Sequence, residues 1–385
     1  MRRIAALILT LFSAQAAWSA VLPFDLAVHA GGMHSLAHPS TMLGVTLSLS
    51  KGQGQPVIYR GDWTADTRNT WRDDDGEPRV QINLRSSAGD SRWGFGASLR
   101  DLAGLPASAL AGVANNVRFA WTREAGVFRF TGSFDQGRGN GTYAFTPAQS
   151  FVTSMAAAGY RNLSIDDLVR LAVIDVTVAH VRGLAQAGYA KLLLDDVVRT
   201  RIHKVTPQFV SDLAGVGYKG VAVDDLVRMA IHGATPANIK ALQAAGIRGQ
   251  SVEELVKLRI HKVSPEFIGA LASRGYTNVV AEDLVKMRVH KVSPEEMDQL
   301  KALGFGGLSI DQLVKFRIHL VTPDYIKGLR DVGFVTVSEE QLVRMKIHKV
   351  DAQFIRDARA DGLAVRTPGD AVDLAIHGPR WRKGR

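Results

Sequence analysis

Glycine returns every 29 residues through the second half of this chain, at Gly159, Gly188, Gly217, Gly246, Gly275, Gly304, Gly333 and Gly362. Histidine keeps the same period at His203, His232, His261, His290, His319, His348 and His377, with Ile174 in the matching place of the first copy. Proline follows the histidine by four residues at Pro207, Pro236, Pro265, Pro294 and Pro323. Eight in-phase copies without an insertion leave little freedom of fold. Each copy must be one supersecondary unit that buries its apolar face against its neighbours.

The residues inside a copy spell two short helices. In Ser264-Pro265-Glu266-Phe267-Ile268-Gly269-Ala270-Leu271, serine suits an N-cap and proline suits the first helical position, where its missing N–H goes unused. Phe267, Ile268 and Leu271 make one apolar stripe, and Gly275 stands where a left-handed residue ends a helix. The residue after it (Tyr276, Phe305, Phe334) is expected to pack back on the turn. The second helix opens on a capping box in several copies, Ser164 with Asp167, Ser251 with Glu254, Ser309 with Gln312 and Ser338 with Gln341. Leu284, Val285, Met287 and Val289 are expected to face the core. The last copy, with Ala358, Ala371 and Asp373 at positions that are apolar or basic elsewhere, reads as a C-terminal cap.

Residues 46–147 have another character. Segments 80–84, 93–99, 116–121, 127–134 and 141–145 alternate or run apolar with aromatic and β-branched residues between glycine-rich turns. A small antiparallel domain follows, a meander curling into a sandwich or partial barrel, with one or two further strands within residues 35–56. Phe145-Thr146-Pro147 leads straight into the first helical copy, so no flexible linker is expected. The fold expected is therefore α+β and multidomain, a small antiparallel β domain followed by an α-solenoid of eight 29-residue helix-turn-helix repeats. The boundaries expected are 1–20 signal peptide, 21–45 linker, 46–147 β domain, 148–378 solenoid and 379–385 basic tail.

The signal peptide rests on Arg2 and Arg3 followed by the apolar run 4–12 and small residues, with cleavage after Ala16 or Ala20. That run falls short of the roughly 20 residues a membrane span needs, and an uncleaved anchor is the alternative. The expectation is an exported, periplasmic or secreted protein with no transmembrane span once the signal is removed. The chain has no cysteine, which excludes disulfides, thiolate metal sites and a cysteine nucleophile. Its net charge of +10 permits attraction to anionic partners.

Among candidate sites, the histidine ladder is read as structural. Neighbouring copies should stand about 10 Å apart, too far to share a metal ion. Each histidine instead ends a helix, where it can meet the open carbonyls. Seven titratable copies also predict sensitivity to mild acid. No metal or other cofactor is expected. A first basic row (Arg170, Arg199, Arg228, Lys257, Lys286, Lys315, Arg344) has an acid four residues upstream at Asp166, Asp195, Asp224, Glu253, Glu282, Asp311 and Glu340. That spacing predicts intrahelical pairs on an exposed face. A second row, Arg201, Arg259, Arg288, Arg317 and Lys346, lacks such a partner and is the candidate contact for an acidic ligand. Nucleic acid is not expected, because no aromatic stacking residues accompany these bases.

Trp63, Trp71, Trp93 and Trp121 are read as core, with a carbohydrate platform as the alternative. His29, His34 and His38 have no carboxylate interleaved and read as linker. No metalloprotease, serine-hydrolase, phosphate-loop or dinucleotide motif is present in the sequence.

Leu284-Val285-Lys286-Met287-Arg288-Val289-His290-Lys291-Val292-Ser293-Pro294 resembles repeats of uncharacterised exported bacterial proteins. It is also similar to the repeats behind the metallopeptidase domain of proteins of the BlaR1/MecR1 antirepressor type. Residues 126–134 and 145–147 are similar to the segment preceding those repeats, so the resemblance spans roughly residues 80–378. The peptidase domain and its zinc motif are absent from this sequence, so proteolysis is not carried over, and the resemblance implies a bacterial envelope protein with no established activity for the repeats themselves. The function expected is non-enzymatic binding of a protein or peptide partner through the repeats, an acidic partner fitting the basic rows. The alternatives are an envelope glycan or polymer binder using the β domain, and a hydrolase whose site assembles only in space.

Overall fold

A computed structural model describes residues 58–67, 79–87, 89, 91–110 and 112–378. The signal peptide, linker, His29, His34, His38, Trp71, the strands expected within residues 35–56 and the basic tail lie outside the described residues. Compactness divides the chain into two regions, Met1–Arg182 and Gly183–Arg385.

The first region holds one antiparallel sheet of β1 (Tyr59–Asp66), β2 (Arg79–Ser86), β3 (Arg92–Ser98), β4 (Leu102–Ala103), β5 (Val113–Arg123), β6 (Gly126–Asp135) and β7 (Arg138–Pro147). Its order is β3-β2-β1-β7-β6-β5-β4, so the last long strand returns to pair with the first. The sheet is two meanders joined along β1 and β7 rather than a sandwich. β1 escapes sequence reading because Gly61, Asp62 and Asp66 disfavour strand. Its inward residues Tyr59, Trp63 and Ala65 are nevertheless buried.

The sheet curls, and the evidence is a ring pair. Phe95 on β3 stacks on Trp121 of β5 at 3.9 Å, although four strands separate the two in the sheet order. Trp63, Phe119, Phe128, Phe130, Phe134 and Phe145 fill the concavity, each almost wholly buried. Glycines make room for the central indole. A Cβ at Gly139 or Gly141 would stand 2.7 or 2.8 Å from Trp63, whose Nε1 donates to the Thr131 carbonyl at 3.2 Å.

Two helices complete this region, α1 (Gln149–Ala157) and α2 (Ile165–Ile174). The Ala148 N–H donates to the Ala125 carbonyl at 3.0 Å, which fixes the exit from β7. Tyr59 Oη donates to Asp166 on α2 at 2.6 Å. Burial and the adjacent Asp166 push the Tyr59 phenol above its ordinary pKa. The next helix, α3 (Val178–Gln186), begins with Val178 N–H donating to Glu124 in the β5–β6 turn at 3.2 Å.

The second region continues with paired helices. First helices are α5 (Pro207–Gly215), α7 (Pro236–Ala244), α9 (Pro265–Ala272), α11 (Pro294–Ala302), α13 (Pro323–Asp331) and α15 (Ala352–Ala360). Second helices are α4 (Leu194–Ile202), α6 (Val223–His232), α8 (Val252–Ile260), α10 (Ala281–Val289), α12 (Ile310–Ile318), α14 (Glu339–Ile347) and α16 (Pro368–His377). First helices pack on first helices and second on second. One continuous apolar cluster runs between the layers from Leu184 to Leu374. Helices of eight to ten residues are too short to persist alone, so this shared core is what holds them.

Local signals behave as their chemistry dictates. All four expected capping boxes form, and Thr367 with Asp370 adds another. The periodic glycines adopt positive φ, for example +85° at Gly304. Behind Gly304, the Phe305 N–H donates to the Leu300 carbonyl at 2.9 Å, closing a Schellman motif. Second helices end the same way with a different residue. The left-handed position there is filled by Lys204, Lys262, Lys291, Leu320 and Lys349, with φ between +55° and +57°, and by glycine at Gly233.

A non-glycine residue in that conformation costs about 1–2 kcal/mol, and glycine's own entropy cost recovers only about half of that. Leu320→Gly should therefore stabilise the protein by about 0.5–1 kcal/mol in urea melts. Gly304→Ala should destabilise it by about 1–2 kcal/mol. Two changes of the same sign would show that the left-handed turns do not govern stability.

Candidate functional site

The repeats place five kinds of side chain side by side at the end of every second helix. In the sixth copy these are Arg317, Ile318, His319, Leu320 and Val321. Val321 is buried, and His319 is the C-cap, its N–H bonded to the Lys315 carbonyl at 3.1 Å. The histidine is likewise the C-cap of α4, α8, α10 and α14, while in α6 His232 is the last helical residue and Gly233 the cap. No group of three His, Asp or Glu side chains among the described residues could hold a metal ion.

The second basic row, Arg201, Arg259, Arg288, Arg317 and Lys346, is half-buried. Arg288 Nε donates to the His261 carbonyl at 3.4 Å, and Arg317 Nε to the His290 carbonyl at 3.2 Å. Each arginine thus reaches back one copy to the C-cap residue of the preceding second helix. Arg259 lies against Gly233, the turn that ends the second helix before its own. Arg317 also pairs with Glu296 at 3.1 Å. Arg288 lies over the Phe267 ring at 5.0 Å, and Lys346 over Tyr325 at 4.4 Å. Arg201 also has interactions of its own.

The first helices carry a matching ladder that sequence reading missed. Gln243 donates to the Val216 carbonyl at 3.0 Å and Arg359 to the Val332 carbonyl at 2.6 Å, each 27 residues away. Arg330 does the same to Leu303. A third ladder uses the residue after the periodic glycine. Tyr189 and Tyr218 hydroxyls donate to the Val221 and Gln250 carbonyls, both at 2.6 Å, in the next copy. The Gln and Arg donors fill carbonyl valences that a short helix leaves open at its end, whereas the tyrosines hold the residue just before the N-cap of a second helix.

The first basic row pairs across copies as well as within them. Lys257 meets Glu253 at 2.8 Å in the expected i,i+4 pair. Arg199 instead reaches Asp224 of the next copy at 2.7 Å, and Lys286 reaches Asp311 in the same sense. Adjacent copies therefore share one acid–base ribbon.

One expectation is overturned. Val289 does not face the core; it is 50% exposed. At 100° per residue it stands about 200° around the helix from buried Met287. The same position is exposed at Ile231, Ile318, Ile347 and Ile376 and half-buried at Ile202 and Ile260. Beside this aliphatic row runs the left-handed row, where Lys204, Lys262, Lys291 and Lys349 are exposed. None of the four ammonium groups has an ion-pair partner among the described residues.

In the β domain, Trp63 and Trp121 are core residues, each 1% exposed, and offer no platform to a sugar. Trp93 is half-buried, and its Nε1 has no hydrogen-bond partner. It borders an open groove of about 540 Å³ with Asp62, Thr64, Gln81, Asn83, Arg85 and Arg92. Among the described residues no helix is long and apolar enough to cross a membrane. No protein-family model matches the chain, and no curated protein matches it either.

Arg317→Ala should destabilise the protein by about 1–3 kcal/mol, because it opens the His290 carbonyl and leaves Glu296 uncompensated. Urea unfolding measures this, and an unchanged midpoint would place Arg317 outside the clasp. Burial, and next Arg199, hold the His203 imidazole below its ordinary pKa. The unfolded chain then binds the proton more readily, so this contribution is present above the ordinary histidine pKa and is lost as pH falls below it. The melting temperature should drop between about pH 7.5 and about pH 5, and His203→Gln should remove part of the drop.

Proposed function

We propose that this chain is a non-enzymatic binding protein of the bacterial envelope whose repeats engage a protein or peptide partner. The observation that carries this reading is the aliphatic row set in register by the repeat period, exposed at Ile231, Val289, Ile318, Ile347 and Ile376 and half-buried at Ile260 between the first two. Single exposed aliphatic residues are ordinary, whereas a row recurring at one structural position makes an extended apolar strip. A stacked array offers such a strip to a long, narrow partner without needing a pocket. The envelope location rests on the N-terminal basic and apolar run and on the similarity to exported repeat proteins.

The half-buried second basic row takes a secondary part in this reading, because Arg288 and Arg317 already engage carbonyls of the preceding copy. Exchanging those arginines would loosen the array along with any contact. The aliphatic row allows a cleaner test. A crosslinking pull-down from envelope extract should capture a partner with wild type and lose it with Ile318→Ser/Ile347→Ser, at an unchanged melting temperature. Equal capture by both proteins would reject the strip as the contact surface.

The groove beside Trp93 favours a second reading, a polar ligand such as a glycan bound by the β domain. Soluble cell-wall fragments should then change tryptophan fluorescence in wild type, and Trp93→Phe should abolish the change.

A further inference from the structure

We infer that the strip along the second-helix ends takes an extended acidic peptide, with aliphatic side chains against the Ile and Val row and carboxylates on the neighbouring lysines. This rests on the binding reading above and names the chemistry of the partner.

The first observation is the choice of residue at the left-handed turns. The eight first helices in the described residues end on left-handed glycine, as local energetics favours. At the end of second helices, the same conformation falls on Lys204, Lys262, Lys291 and Lys349. A lysine there gains something from the helix dipole, but not enough to match the left-handed strain. Strain held at one repeated position points to a use for the side chain.

The second observation is pairing. Several first-row cations have acids, Arg199 with Asp224, Lys257 with Glu253 and Lys286 with Asp311. The left-handed lysines are exposed and have no ion-pair partner among the described residues. A strip that sets unpaired cations beside exposed aliphatics is complementary to a segment alternating carboxylates with aliphatics.

Geometry then selects the form of that segment. Neighbouring helices pack about 8–10 Å apart, and an extended chain advances about 3.3 Å per residue. Three peptide residues therefore span one copy, and a carboxylate at every third residue keeps step with the copies, meeting lysine at Lys204, Lys262, Lys291 and Lys349 and not at Gly233 or Leu320. A membrane surface fits less well, because the row carries Ile and Val without the aromatic residues that seat proteins at lipid headgroups.

The test uses the full chain and a fluorescein-labelled peptide of about 18 residues built on repeated Glu-Val-Ser. A peptide of the same composition with its glutamates clustered serves as control. Phosphatidylglycerol vesicles and a single-stranded oligonucleotide are assayed beside it. The in-step peptide should bind more tightly than the control. Lys262→Gly/Lys291→Gly/Lys349→Gly should weaken it about tenfold while keeping or raising the melting temperature, so lost binding is not lost folding.

Equal affinity of the triple variant and wild type would overturn the inference. Binding of vesicles or oligonucleotide without the peptide would overturn it too. If the peptide fails while the pull-down partner is still lost with Ile318→Ser/Ile347→Ser, acidic recognition is wrong and the binding reading stands. If neither peptide nor partner is captured, both fall.

Discussion

Short helices end in carbonyls that nothing within the helix can satisfy, and the repeat region is organised around meeting that need from the next copy. Arg288 and Arg317 do so for second helices, while Gln243, Arg330 and Arg359 do so for first helices. The separation is 27 residues in each case, two short of the repeat, because the donor sits in the last turn and the acceptor is the C-cap itself. Each bond is worth about 1 kcal/mol net, and donors recur along the array except in the copy that carries Ala214 and Ala230 at the two donor positions. The ladders therefore tie the register of the copies that carry a donor to their predecessors, and the continuous core from Leu184 to Leu374 closes in that register.

The same accounting separates two kinds of cation that look alike in sequence. A guanidinium in the last turn is drawn back to the preceding copy and half-buried, and its stem or charge covers a ring, as with Arg288 on Phe267. An ammonium three residues further on stands past the helix end in a left-handed turn, exposed and without an acid. The first contributes to cohesion. The second is available to a partner, and it borders the aliphatic row that the core does not use.

The β domain answers a different problem, since a single curled sheet must fill its own concavity. It does so with rings across non-neighbouring strands, Phe95 against Trp121, and with glycines that let the Trp63 indole lie close to β6 and β7. Because the tryptophans do this work, their number in the sequence is no guide to a sugar site. Trp93 differs in its place, at the edge strand beside a polar groove; its indole N–H and that of the core residue Trp121 both lack a partner.

The period, the N-caps, the capping boxes and the left-handed glycines were legible in the sequence because they are local. A side chain within three residues of its backbone partner obeys the same chemistry whatever the rest of the chain does. β1 was not legible, since its strand character comes from β2 and β7 on either side rather than from Gly61 or Asp62. Nor were the inter-copy ladders, because 27 residues of chain separate donor from carbonyl and only helix stacking brings them together. Val289 lies between: helical phase alone sets it opposite Met287, but which residues of that face stay open depends on what packs there. Residue spacing settled by itself that the chain repeats and how each helix starts and stops. Packing decided which cations clasp and which stay free, because the reach of a side chain is fixed in space and not along the sequence.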